Sequence, residues 1–221
     1  MTPDQIELSD PTDVGQTVAT GVSAKFAYPD LDEVWQAVAP FLRTRKNDIH
    51  TPLSFFFAEL LLDAHPQADP LVVRLAILLH DSGWSAIDET RILSEGFAAN
   101  WKTSDVRYLH ELEGCRIARE LLPPLGYPAD VVDKVTAIID GHDTRPEALS
   151  LEDELVRDAD RLWRFTPTGI GIASGWFKKT PAAYYRQLCE RTFHELITAE
   201  GRRMATAELE RSRELLKLDV L

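Results

Sequence analysis

From Asp30 onward, apolar residues recur at three- and four-residue spacing, the period of an amphipathic helix. Asp30 with Glu33 forms a capping-box pattern, and Val34, Trp35, Val38 and Phe41 follow as its stripe. Three later starts share one device, a capping residue followed by proline: Thr51-Pro52, Asp69-Pro70 and Thr180-Pro181. Proline suits the first helical position because its missing N–H would find no partner there and its φ is already helical. The stripes behind these starts are Leu53, Phe56, Phe57, Leu60 and Leu61, then Val72, Leu75, Ala76 and Leu79. The last runs Tyr185, Leu188, Cys189, Phe193, Leu196 and Ile197, and reads as one long C-terminal helix. Further helices are predicted over about 104–122, 129–140, 151–165 (capped by Ser150, with Asp153 three residues on) and 203–217. Gly83 and Gly126 read as helix stops. No alternation of strand type stands out. About eight helices with short connections predict an all-α, single-domain bundle over residues 29–221. Residues 1–28 are polar, with weak periodicity, and read as an N-terminal lead or arm.

Charge and cysteine usage narrow the functional classes. The formal net charge is −12, and no Lys/Arg stripe offsets it. Nucleic acid is held mainly by neutralising its phosphates, so a polymeric nucleic-acid partner is not expected. An anionic membrane surface is disfavoured on the same ground. A small anionic substrate stays open, since two or three placed arginines or lysines can hold one. Cys115 and Cys189 are isolated, with no CxxC and no disulfide framework. The first residues lack the basic and apolar regions of a signal peptide, and the most apolar stretch, Leu71 to Leu79, is too short to span a bilayer. These features lead us to expect a soluble, cytoplasmic protein.

The chemistry lies in the histidines. His50, His80-Asp81, His110, His142 and Asp160 fall at helix ends or on neighbouring helical segments. The first three gaps are each about 30 residues, roughly one helix out and one helix back. Such spacing returns side chains to one level of an antiparallel bundle, a usual place for a metal centre. His80-Asp81 ends the apolar run from Leu71, where an unpaired carboxylate would be costly and a divalent cation is one possible partner. His65 and His194 read as structural residues, Asp158 as a solvated charge, and Trp84 as a packed core tryptophan.

Together these pieces resemble the HD-domain superfamily of metal-dependent phosphohydrolases. They are His50, the run Arg74-Leu-Ala-Ile-Leu-Leu-His80-Asp81-Ser-Gly83, His110-Glu-Leu-Glu-Gly114, Asp140-Gly-His142-Asp143 and Val156-Arg-Asp-Ala-Asp160-Arg161-Leu. The resemblance spans about residues 45–165 and is specific as a combination. It implies an all-α fold in which His50, His80, Asp81 and Asp160 ligate a first metal. His110 and His142 match extra histidines of a subset of the family, which bind a second metal bridged by Asp81 or touch the substrate phosphate. Asp81, His110 and His142 are therefore the candidate catalytic residues. A second dipeptide, His142-Asp143, also has the His-Asp form, but 80–81 has the stronger apolar lead-in.

The residue types suit the chemistry. Imidazole and carboxylate without thiolate fit one or two divalent ions among Fe, Mn, Mg, Co, Ni and Zn. Such an ion acidifies a bound water and polarises a phosphoryl oxygen, given an open coordination position. A phosphate also needs cations. Arg45, Lys46, Arg145 and Arg161 lie near the ligands in sequence, and Lys46, Arg145 and Arg161 are the candidates carried forward.

Three functions follow. The first is hydrolysis of a phosphate ester or anhydride on a nucleotide or another small metabolite. The second is a mixed-valent diiron oxygenase of the same fold, and the third a non-catalytic metal-binding regulatory module. The segments 84–104 and 166–180 are expected to overhang the site. The stretch Gly169-Ile-Gly-Ile-Ala-Ser-Gly175 lacks the strand and Lys-Ser/Thr of a phosphate loop, and reads as a flexible lid. The helices beyond residue 180 complete the core or form a homodimer face.

Overall fold

A computed structural model describes residues 29–96 and 104–219. Among the described residues all regular structure is helical. The helices are α1 (Pro29–Val38), α2 (Asn47–Ala64), α3 (Pro70–Leu79), α4 (Val106–Leu121) and α5 (Ala129–Ile139). They continue with α6 (Leu151–Leu162), α7 (Pro167–Trp176), α8 (Pro181–Glu190) and α9 (Ala199–Leu215). Tight helical turns at Ser82–Ala86, Trp163–Phe165 and Thr192–Glu195 make three of the connections. The chain divides into two units between Glu33 and Val34, and the second runs from Val34 onward. The expected arm over 1–28 lies outside the described residues. None of the described helices is long and apolar enough to cross a membrane.

The centre of the fold is α3. Seven of its ten residues are buried, from Val72 and Val73 through Leu75 to Leu79, so it is apolar nearly all round. It packs against α2, α5 and α6. Asp69 caps it by accepting from the Leu71 and Val72 amides, with Pro70 as the first helical residue, as the sequence predicts. A helix buried on every side carries whatever follows its last turn into the interior. That is why His80 and Asp81 lie in the core, 0% and 7% exposed.

Gly83 is not a helix stop. It has no left-handed φ, and a Cβ there would lie 1.9 Å from the His110 carbonyl oxygen. Its role is close approach, letting the turn Ser82–Ala86 press against α4. Gly126, with φ of 87°, is a left-handed stop after the turn Pro123–Leu125.

Other expectations are corrected. The helix predicted to begin at Thr51-Pro52 begins at Asn47 and carries Pro52 inside it. Its bonding starts from the Lys46 carbonyl, so Pro52 forfeits only the bond to Asp48. The Gly-rich stretch is no loose lid. It is α7, capped by Thr166 through the Gly169 amide and pressed so closely on Trp163 that a Cβ on Gly169 would lie 2.0 Å from that carbonyl. The long C-terminal stripe is broken: α8 ends at Glu190, a turn holds Thr192–Glu195, and α9 starts at Ala199.

Asp158 is fully buried rather than solvated. Its carboxylate accepts from the Ile197 and Thr198 amides and from the Thr198 hydroxyl at 2.7–2.8 Å, which fastens the start of α9 to α6. His65 fits its structural reading, its Nδ1 donating to the Leu61 carbonyl at the end of α2.

Candidate metal centre

Six side chains from five segments converge in the interior: His50 on α2, His80 and Asp81 after α3, His110 on α4, His142 after α5, and Asp160 on α6. All are 7% exposed or less. His50 Nε2 lies 2.9 Å from His80 Nε2, 3.4 Å from Asp81 Oδ2 and 3.3 Å from Asp160 Oδ1. His80 Nε2 lies 3.5 Å from the same Asp160 oxygen. On the other side, His110 Nε2 and His142 Nε2 are 3.4 Å apart, and each is 3.7 Å from Asp81 Oδ1. Asp81 thus turns one oxygen to each pair of histidines. Among the described residues two groups have the compactness of metal sites, His50–His80–Asp81 and Asp81–His110–His142.

The outer partners decide what these atoms are. Nδ1 of His80 bonds to the Ile77 carbonyl at 2.8 Å, that of His142 to Ile139 at 2.9 Å, and that of His110 to Val106 at 3.3 Å. A carbonyl only accepts, so each Nδ1 donates and each Nε2 of the neutral ring presents a lone pair inward. His50 is oriented instead by edge contact with Trp163, ring centroids 4.7 Å apart. The centre is therefore a buried set of acceptors facing acceptors. Such an arrangement is costly unless a positive charge lies among them, and the donor set fits a divalent cation.

Burial and neighbouring charges push the four histidines in different directions. Burial lowers the His50 pKa to about 3, against the pull of Asp81, and burial with the facing His142 lowers that of His110 to about 3. Burial also disfavours charge on His80, but Asp81 and Asp160 outweigh it and raise its pKa. At His142 burial is outweighed by Asp81, Asp143 and Glu111, and the pKa rises to about 10. The Asp81 pKa is held well below its usual range: burial opposes ionisation, but His80, His142, His50 and Arg45 outweigh it.

A cavity of about 90 Å³, open to solvent, lies beside the centre. Its wall includes Arg45, Trp84, Arg107, Asp143, Arg164 and Trp176. Trp84 donates from Nε1 to Asp81 Oδ1 at 2.9 Å and stacks on His110 with centroids 4.1 Å apart, so it both packs and lines the cavity. Arg164 Nη2 is 3.7 Å from Asp160 Oδ2. Arg107 donates to the Asp143 carbonyl, and Glu111 accepts from the Asp143 and Thr144 amides at 2.8 and 3.0 Å, which fixes the Asp143 backbone.

A model of the HD domain matches residues 48–164, more than half of the chain. The chain belongs to the HD-domain family. The solved structure of a predicted HD-superfamily hydrolase from an uncultured Thermotogales bacterium is similar to it, at 21% identity and a TM-score of 0.56. That match covers 85% of this chain and 89% of the other, and at this identity it supports the HD fold alone. No curated protein matches the chain. The family match ends at residue 164, so the cavity wall from Ala173 to Glu195 lies beyond it.

Around this HD centre the cations differ from those favoured by proximity in sequence. Lys46 is exposed and lines an adjoining cleft with Arg43, Asp48 and Glu89. Arg145 binds Asp153 Oδ2 at 2.6 Å and the carbonyls of Ala137, Asp140 and Glu147. Arg161 donates to the Arg157 carbonyl at 2.9 Å and lies 3.9 Å from Glu195. Both line a second cleft, which shares Arg107, Asp143 and Arg164 with the first cavity. Arg107 and Arg164 were not named from the sequence, Asp143 was named only in the second His-Asp dipeptide, and Arg45 was named but set behind Lys46 and Arg145. One signal was available for Arg164: it follows Asp160 by four residues, one helical turn. Trp176 and Phe177 meet the expectation that 166–180 overhangs the site, whereas residues 97–103 of the other segment lie outside the described residues.

Proposed function

We propose that this HD-domain chain is a metal-dependent phosphohydrolase acting on a nucleotide or another small phosphorylated metabolite. The observation that carries the reading is the buried acceptor cluster opening beside a cavity walled by Arg45, Arg107 and Arg164. The first feature calls for a cation and the second for an anion. His50, His80, Asp81 and Asp160 would hold one ion, and Asp81, His110 and His142 a second where two bind. The bound ion supplies Lewis-acid polarisation and water acidified toward neutral pH.

The chain's own residues do the rest. Arg45, Arg107 and Arg164 hold the non-bridging oxygens of the anion, as guanidinium groups do for phosphate. Asp143 lines the cavity, and His142 beside it lowers its pKa against the opposing effect of burial. Trp84, Trp176 and Phe177 reduce access of bulk water.

A second reading is favoured by one specific observation, the two oxygens of Asp81 facing two histidine pairs. Two irons sharing that carboxylate would suit a mixed-valent diiron oxygenase. The test is to reconstitute metal-stripped protein with Mn, Fe(II) or Zn, then screen phosphate release over nucleotides and sugar phosphates. Release that disappears in His80→Ala and Asp81→Ala is expected. Oxygen uptake with iron and no phosphate release would favour the second reading. Bound metal with neither activity would leave a regulatory module.

A further inference from the structure

The second cleft, about 370 Å³ in volume, is walled by five arginines against two carboxylates, Asp143 and Glu195. In a chain of net charge −12 this excess of positive charge is local. Three of the five, Arg157, Arg161 and Arg164, follow one another at helical spacing along the end of α6 and the turn after it. Like charges so placed repel one another unless carboxylates lie among them. Arg157 has Asp153 four residues earlier at 2.9 Å, and Arg164 has Asp160 four residues earlier at 3.7 Å. The residue four before Arg161 is Arg157 itself.

Arg161 is thus the cation of the row that its own helix leaves without a counter-ion. Its Nη1 donates to the Arg157 carbonyl at 2.9 Å, while its Nε stands 3.9 Å from Glu195 Oε2, too far for a hydrogen bond. The Arg161 side chain is 16% exposed, so water reaches it only in part, whereas that of Glu195 is 48% exposed. A charge withdrawn from water and bonded at one end gains from an anion at the other. The neighbouring arginines add to the field. Arg145 and Arg157 share the single carboxylate of Asp153 and are held by carbonyls of the 137–147 segment, which makes them a fixed positive floor. The cleft also shares part of its wall, including Arg164, with the cavity beside the candidate metal centre. One molecule can therefore place one group at the centre and another in the cleft.

We propose that the second cleft is a distal phosphate site, in which Arg161 binds a second phosphoryl group of the same substrate, so that the chain acts on bisphosphorylated molecules. This rests on the phosphohydrolase reading and narrows its substrate class. A phosphate monoester carries nearly two negative charges near neutral pH, which suits a wall with surplus arginine better than a carboxylate does. Glu195 lines both cavities and lies beyond the family match, which ends at residue 164, so the outer boundary of the distal site is a feature of this chain outside that match.

The test compares alkane-α,ω-bisphosphonates of increasing chain length with alkylphosphonates of equal length. Binding of each to the Mn-loaded full chain is measured by calorimetry. Two equivalent ends alone favour the bisphosphonate by about twofold. At the best chain length the wild type should favour it by about tenfold or more. In Arg161→Gln that preference should fall to about twofold, a ratio that a merely structural role would not move. Arg161→Lys keeps the charge without the planar fork and should fall between the two, which carries the same test should Arg161→Gln not fold. An equal preference in wild type and both variants would overturn the inference while leaving the hydrolase reading intact. So would a wild-type preference of about twofold at every length. An ω-phosphonoalkanoate that binds as tightly as the bisphosphonate would make the distal group a carboxylate and overturn the phosphate assignment. A wild type that binds no phosphonate and releases phosphate from no ester would sink the hydrolase reading and the inference with it.

Discussion

Two buried polar clusters lie a few residues apart in the chain and differ in kind. The first joins Arg145, Asp153 and Arg157 beneath the 140–147 loop. Asp153 accepts from Arg145, Arg157 and the Leu149 amide at 2.6–2.9 Å, and Arg157 donates onward to the Arg145, Gly141 and Glu147 carbonyls at 2.9–3.2 Å. Donors there meet acceptors, and the cluster holds the loop that carries His142 and Asp143. The candidate metal centre is equally buried, yet its atoms are acceptors meeting acceptors. Burial of polar groups alone therefore says little about function. The informative feature is whether the cluster completes itself or demands a guest.

Asp153→Ala should produce the largest change in stability. It leaves Arg157 buried without its carboxylate, which costs about 3–5 kcal/mol, read as a lower denaturant midpoint. A change below about 1 kcal/mol would mean that the arginine cluster is not self-contained as described. The guest should act differently. A divalent ion at a hundredfold excess over its Kd should add about 2.7 kcal/mol to the wild type, seen as a higher melting temperature that a chelator reverses. Asp81→Ala should lose that increment, and Asp153→Ala, if folded, should keep it. An increment that survives Asp81→Ala would place the ion elsewhere.

Glu111 links the two clusters, because its carboxylate holds the Asp143 and Thr144 amides and the Thr144 hydroxyl. Glu111→Gln should cost roughly 1.5 kcal/mol and weaken metal affinity by about tenfold, measured by metal titration of the variant. The smallest effect is expected at a helix cap outside both clusters. Thr166→Ala removes the cap of α7 and should cost about 1 kcal/mol, with metal content unchanged.

The same contrast explains what the sequence reveals. His80-Asp81 is legible because an apolar run leads into it, and a run buried all round carries its end into the core. The caps at Asp69 and Thr180 are legible because capping is local chemistry. Thr166-Pro167 carries the same signal, but three glycines nearby make the segment read as a loop; close packing on Trp163 holds it as helix. Arg45, Arg107 and Arg164 are harder to find. A long cation's destination depends on aromatic rings and carboxylates that tertiary packing brings near, and Trp84 and Trp176 are far from Arg45 in sequence. Asp158 misleads for a related reason: its partners, Ile197 and Thr198, lie about forty residues away.

The central claim is that the acceptor cluster exists to hold a metal. Its most direct test is metal identity and stoichiometry per chain, measured on protein purified without an affinity metal column and again after incubation with each candidate ion. One or two equivalents of a divalent metal, lost in His80→Ala and Asp81→Ala, is the predicted result. No bound metal with any of Fe, Mn, Mg, Co, Ni or Zn would contradict the account.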